Sequence, residues 1–123
     1  MVGDVTGNDS GNRVAGLIGS SNTFTVIEDS FFLGSVFNDS ASNISYGITN
    51  SASATLTNVY WNDSAAGTEA VDCHDGGNTG CTIENDPTQF YLPSYPVYTR
   101  SGFEWDFVNI WQVQSSALPI LRN

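Results

Sequence analysis

The side chains with the most chemical reach crowd one short stretch, Asp72-Cys73-His74-Asp75-Gly76-Gly77-Asn78-Thr79-Gly80-Cys81. Two cysteines bracketing a glycine-rich loop are expected to close a local disulfide, as nearby pairs do in an oxidising compartment. The alternative is a pair of reduced thiols. His74 is the sole histidine. Beside two cysteines committed to each other, it cannot complete the four-ligand set of a structural zinc site. As a catalytic base it would need a nucleophile and an orienting group converging on it, and no nucleophile-elbow signature is present. Asp72, Asp75 and Asn78, with Glu84 and Asp86 nearby, are calcium candidates, because calcium takes roughly six to eight oxygen ligands around a tight turn. Their spacing lacks the Asp-x-Asp-x-Asp-Gly order of a calcium loop. The expectation is therefore a solvated acidic loop with no cofactor, and bound calcium is the second reading.

Aromatic chemistry lies further on. Eight of the 15 aromatic residues fall between Phe90 and Trp111. Trp61, Tyr91, Tyr95 and Trp105 are candidates for stacking against sugar rings. The competing reading is structural. Phe103, Trp105 and Phe107 alternate, which puts three rings on one side of a strand. With Trp111 they are expected to form a plug over the open edge of a sheet, where N–H and C=O groups would otherwise stand unpaired. Four Asn-x-Ser sequons, at Asn8, Asn38, Asn43 and Asn62, are glycosylation candidates in an exported protein.

The elements that must position these groups are bounded first by composition. A chain of 123 residues fits one domain. The net charge is −10, there is no lysine, and the only cationic side chains are Arg13, Arg100 and Arg122. Nucleic acid and anionic membrane surfaces would repel such a chain. No apolar run approaches the ~20 residues that cross a bilayer, and no signal peptide is visible. Low charge with abundant Ser, Thr, Asn and Gly suits an extracellular or cell-surface setting. Met1 leads directly into Val2-Gly3-Asp4-Val5, which reads as the middle of a repeat. The chain is thus expected to be a piece of a longer protein, with upstream coils as its first partner. Self-association through the open Val2–Val5 end is a further expectation.

Self-comparison exposes that repeat. A shift of 31 residues brings Gly3 onto Gly34, Val5 onto Val36, Asn12 onto Asn43, Gly16 onto Gly47 and Leu17 onto Ile48. Beyond that the shift falls to 29, aligning Ile27 with Leu56, Phe31 with Tyr60 and Phe32 with Trp61. Apolar, β-branched and aromatic stretches alternate with Ser/Asn/Gly turns, predicting short strands. Strands recurring every ~30 residues with glycine at a fixed place predict coils that bury their apolar faces by stacking. A β-sandwich is the alternative.

Val14-Ala15-Gly16-Leu17-Ile18-Gly19, followed by Glu28-Asp29-Ser30-Phe31-Phe32-Leu33-Gly34-Ser35-Val36, resembles the GLUG repeat of bacterial and archaeal surface proteins and adhesins. Asn58 to Gly67 resembles that family's last coil. Phe103-Glu104-Trp105-Asp106-Phe107-Val108-Asn109-Ile110-Trp111, with Leu118-Pro119-Ile120-Leu121-Arg122, resembles its closing motif. Ala15 replaces a usual glycine, Thr49-Asn50 is degenerate, and residues 68 to 100 have no counterpart. The resemblance implies stacked β-solenoid architecture and an exported setting, and it carries no catalytic residues.

The expectation is an all-β, right-handed β-solenoid (β-helix) fragment of about two coils with an aromatic cap. Residues 1–67 form coils, 68–102 a cysteine-bracketed insert with a Pro/Tyr-rich segment, and 103–123 the cap, all within one structural domain. The expected role is a non-enzymatic structural or adhesive module of a large exported cell-surface protein, meeting a surface glycan or protein ligand. A carbohydrate-binding module and a self-associating stalk subunit are the alternatives. Polysaccharide-degrading solenoids use far longer chains, so no enzyme activity is expected, although paired carboxylates are defined by spatial separation.

Overall fold

The computed structural model describes residues 5–7, 14–19, 25–38, 45–62 and 72–123. These residues are mostly strand, with two single turns of helix, so the fold is all-β. The longest strands are β3 (Val26–Leu33) and β6 (Thr55–Asn62), both rich in the β-branched and aromatic residues that suit a pleated, half-buried surface. Shorter strands precede each of them. β1 (Val5–Gly7) and β2 (Val14–Ala15) come before β3, and β4 (Val36–Asn38) and β5 (Ser45–Tyr46) come before β6. β7 (Cys81–Glu84) follows, and β8 (Trp111–Gln114) and β9 (Ala117–Leu121) end the chain.

The sheets are small and none closes on itself. Each pair among β1 to β7 is parallel: β1 with β4, β2 with β5, β3 with β6, and β6 with β7. Their registers follow the sequence shifts. Val5 lies opposite Val36, Ile27 opposite Leu56, Phe31 opposite Tyr60 and Phe32 opposite Trp61. Parallel strands need long connections, and between β3 and β6 the chain forms β4 and β5.

A third layer continues this pairing. Thr49 bridges His74, Val59 lies opposite Cys81, and the amides of Ile48 and Thr49 both donate to the Cys73 carbonyl. The cysteine-bracketed stretch, read from sequence as an insert, is thus hydrogen-bonded onto the layer before it.

One corner repeats through all three layers. Asp29 (φ 46°), Asn58 (φ 53°) and Gly80 (φ 76°) share the left-handed conformation. They are in register, because Ser30 pairs with Val59 and Val59 with Cys81. Asp and Asn tolerate this conformation better than other side chains. At Gly80 a β-carbon would fall 1.9 Å from the Leu56 carbonyl oxygen, so only glycine fits. The corner shifts the in–out alternation by one residue. Ile27 and Phe32, and likewise Leu56, Val59 and Trp61, therefore all point into one core with Val14, Val36, Ile48 and Cys73.

The opposite face of the β3–β6–β7 sheet is covered by the C-terminal segment. Phe31, Leu33 and Tyr60 point outward and meet Phe90, Tyr95, Val97 and Tyr98, joined by Trp105, Phe107 and Leu118. A 3-10 turn at Pro87–Tyr91, capped by the Asp86 carboxylate on the Thr88 amide, delivers Phe90. A helical turn, α1 (Pro96–Thr99), delivers Val97 and Tyr98.

This corrects the expected plug in two respects. Phe103 to Phe107 is not a strand, because the Trp105 amide donates to the Tyr98 carbonyl and the Asp106 carboxylate folds the chain into a turn by accepting from the amides of Val108 and Asn109. Phe103 is 58% exposed and lies under the Arg100 guanidinium, 4.3 Å from the ring centroid, away from the core. The segment is a lateral strap. It meets the third layer through Tyr95 Oη donating to Glu84 (2.9 Å), the second through Tyr60, and the first through Phe31 and the Arg100 contacts with Glu28 and Asp29.

Candidate functional site

Cys73 and Cys81 are joined in a disulfide, and Cys73 is wholly buried in the inner core. His74 beside it is also buried. Its Nδ1 accepts from the Gly76 amide at 3.0 Å, and its Nε2 has no hydrogen-bond partner. Among the described residues no hydroxyl or carboxylate is hydrogen-bonded to the ring, so they do not assemble the arrangement of a base with its nucleophile.

The calcium candidates do not converge. Asn78 Oδ1 accepts from the Cys73 amide and Asn78 Nδ2 donates to Asp72 (2.7 Å each), whereas Asp75 accepts from the Tyr46 hydroxyl at 2.7 Å. These oxygens serve as loop fasteners. Among the described residues no group of three or more His, Cys, Asp or Glu side chains could hold a metal. No helix among them is long and apolar enough to cross a membrane.

The sugar-stacking candidates separate cleanly. Trp61 is fully buried against the inner core and Tyr95 is buried between the strap and the sheet, so neither offers a face to a ligand. The reason is packing: the Trp61 indole lies directly on Gly47. Burial pushes the Tyr98 hydroxyl up to about 12, and that of Tyr95 further, with the Glu84 carboxylate adding to the effect. Tyr60 is raised by burial as well.

Tyr91 and Trp105 are half-buried, and each lines a cavity. Tyr91 borders one of about 400 Å³ with Leu33, Gln114 and Leu118. Trp105, stacked on Trp111 with centroids 4.3 Å apart, borders one of about 250 Å³ with Leu17, Asp29, Ser30 and Phe31. Trp111 is held in turn by Arg122, which donates to the carbonyls of Trp111 and Phe107.

Sequence reasoning missed the polar part of this second cavity. Asn58 Nδ2 donates to Asp29 Oδ1 at 2.7 Å, and Arg100 Nη1 stands 3.4 Å from the same oxygen and 3.6 Å from Glu28. The available signal was an acidic pair, Glu28-Asp29, set in the middle of an otherwise apolar strand and aligned with Asn58 in the repeat.

Of the sequons, Asn8 and Asn43 lie outside the described residues, as does the side chain of Asn38. Asn62 is 4% exposed and its Nδ2 donates to the Glu84 carbonyl at 2.6 Å, so a glycan on that nitrogen does not fit this arrangement. Arg13 and the Val2–Val5 end, apart from Val5 itself, also lie outside the described residues.

No protein-family profile, curated protein or solved structure matches the chain.

Proposed function

We propose that this chain is a non-enzymatic structural module, the laterally fastened end of a β-solenoid stalk in an exported cell-surface protein of the GLUG-repeat kind. The observation that carries the reading is the agreement between the 31- and 29-residue shifts and the parallel pairing of Val5 with Val36 and Ile27 with Leu56. Layers that pair in the register of their own repeat form a stiff spacer with a rise of ~4.8 Å per layer. The chemistry of the cysteine-loop groups fits the same role. His74, Asp72, Asp75 and Asn78 spend their hydrogen bonds on loop structure. A net charge of −10 keeps such a spacer soluble and apart from other anionic surfaces.

The test is surface labelling. Antibodies raised against the folded chain should stain intact cells of the source organism. Staining that appears only after permeabilisation would overturn the reading.

A further inference from the structure

Independently of the stalk reading, we infer that the exposed face of the C-terminal hairpin is a contact between two copies of this chain. The hairpin, β8 with β9, is a two-stranded sheet of its own. It is anchored through Trp111, which stacks on Trp105, and through Leu118, which joins the aromatic cluster of the strap. Gln112 lies opposite Ile120, so the two share the face turned away from Trp111. The Arg122 amide donates to the Ile110 carbonyl, which carries the ladder one step further and adds Ile110 to that face. Ile110 and Ile120 are exposed there, and Val108 (80%), Val113 and Leu121 are exposed around them. Of the nine large apolar side chains exposed among the described residues, five thus fall in the short run from Val108 to Leu121. Such clustering marks a contact surface, whereas single exposed residues are ordinary.

Charge indicates what covers it. All 13 carboxylate residues lie at or before Asp106, and residues 107–123 contain none. Asp106 itself spends its oxygens on the amides of Val108 and Asn109 and on the Asn109 side chain. The one cation, Arg122, is committed to the carbonyls of Trp111 and Phe107. A strongly charged partner of either sign therefore finds little to hold. The face selects another apolar, uncharged face, and the chain carries one. Elsewhere two copies at −10 each would bring like charges together. Relief on the surface agrees. Ile120 also borders the cavity of about 400 Å³ with Leu33, Tyr91 and Leu118, so a hollow adjoins the protruding side chains. Two copies related by a two-fold axis present the same patch to each other, and a side chain standing out from one enters the hollow of the other. A standard interface takes ~20–30 residues a side. This run is shorter, so the dimer is weak and forms with rising concentration.

Sedimentation equilibrium of the whole chain, from about 10 μM to about 1 mM, reads this directly. The mass should climb from monomer towards dimer and stop there, and added salt should tighten the dimer by screening the two net charges. Val108→Glu and Ile120→Glu place a carboxylate in an exposed position of the patch and should each weaken the dimer at least ~tenfold. Val26→Glu adds the same charge at an exposed position of β3 and should leave it unchanged. Near-UV circular dichroism checks that the variants keep the parent fold. A monomer at every concentration would overturn the contact, as would a dimer untouched by both hairpin variants. Equal weakening by Val26→Glu would assign the effect to net charge, and mass rising beyond the dimer would replace the two-fold contact with an open-ended one. Either result also overturns the proposal. Surface labelling bears on the stalk reading alone.

Discussion

The Trp61 indole rests on the backbone of Gly47: a β-carbon added there would fall 2.1 Å from Trp61 Cδ2. One layer away, Phe32 rests on Gly16 in the same way, at 2.4 Å from Cδ1. Neither glycine has a positive φ, so the requirement is for space. Gly47→Ala should therefore destabilise the fold by about 1–3 kcal/mol through overpacking against a fully buried ring. Urea unfolding followed by tryptophan fluorescence would measure this. A midpoint equal to the parent's would show that the ring can move aside.

The Asn58–Asp29 pair makes a pH-dependent prediction. Asn58→Asp would set two carboxylates about 2.7 Å apart, raising the pKa of one above its unfolded value. The destabilisation should be absent at acid pH, where that group is protonated in both states, and should grow as pH rises through the carboxylate range. Thermal unfolding between pH 3 and pH 7 would show the variant falling away from the parent towards neutrality. A constant offset would mean that Arg100 fully compensates.

Two aromatic deletions should differ sharply. Phe90 is fully buried between Phe31, Tyr60 and Tyr95, with ring centroids 5.2, 6.3 and 4.9 Å away. Phe90→Ala should cost about 3–5 kcal/mol. Phe103→Ala removes an exposed ring and should stay within about 0.5 kcal/mol of the parent. Similar losses at both positions would restore a structural role for Phe103.

Alkali should release the strap. Tyr98 is buried and its hydroxyl donates to the Phe90 carbonyl at 2.8 Å. With its pKa pushed from 10.0 up to about 12, the unfolded state loses this proton first. Stability is intact below the unfolded value and declines as pH climbs from 10 towards 12. Absorbance at 295 nm should show some of the five tyrosines ionising only together with loss of near-UV circular dichroism. Smooth ionisation of all five near the ordinary value, with the fold intact, would contradict this.

The pairing of the first two layers was legible because stacking imposes the same constraints at equivalent positions. Gly16 and Gly47 recur for the rings above them, and Phe32 and Trp61 recur because both point inward. The third layer escaped notice because its spacing contracts: Thr49 meets His74 and Val59 meets Cys81 over a shorter connection, with few side chains in common. The strap was misread for a different reason. Alternation in Phe103-Glu104-Trp105-Asp106-Phe107 imitates a strand, but Asp106 closes a turn on the amides of Val108 and Asn109. Nothing in that pattern tells whether a run of rings covers the end of a stack or its side. Asp29, which accepts from Asn58, was visible only as an acidic residue out of place.

The lateral course of the strap changes how the molecule comes apart. In a simple array each layer touches only its neighbours, so layers can melt one at a time from the ends. Tyr95, Tyr60, Phe31 and Arg100 instead bind the strap to the third, second and first layers together. The three layers therefore do not come apart independently. None of the three layers can loosen without disturbing a cluster that all three share, so the described residues are tied into a single cooperative unit.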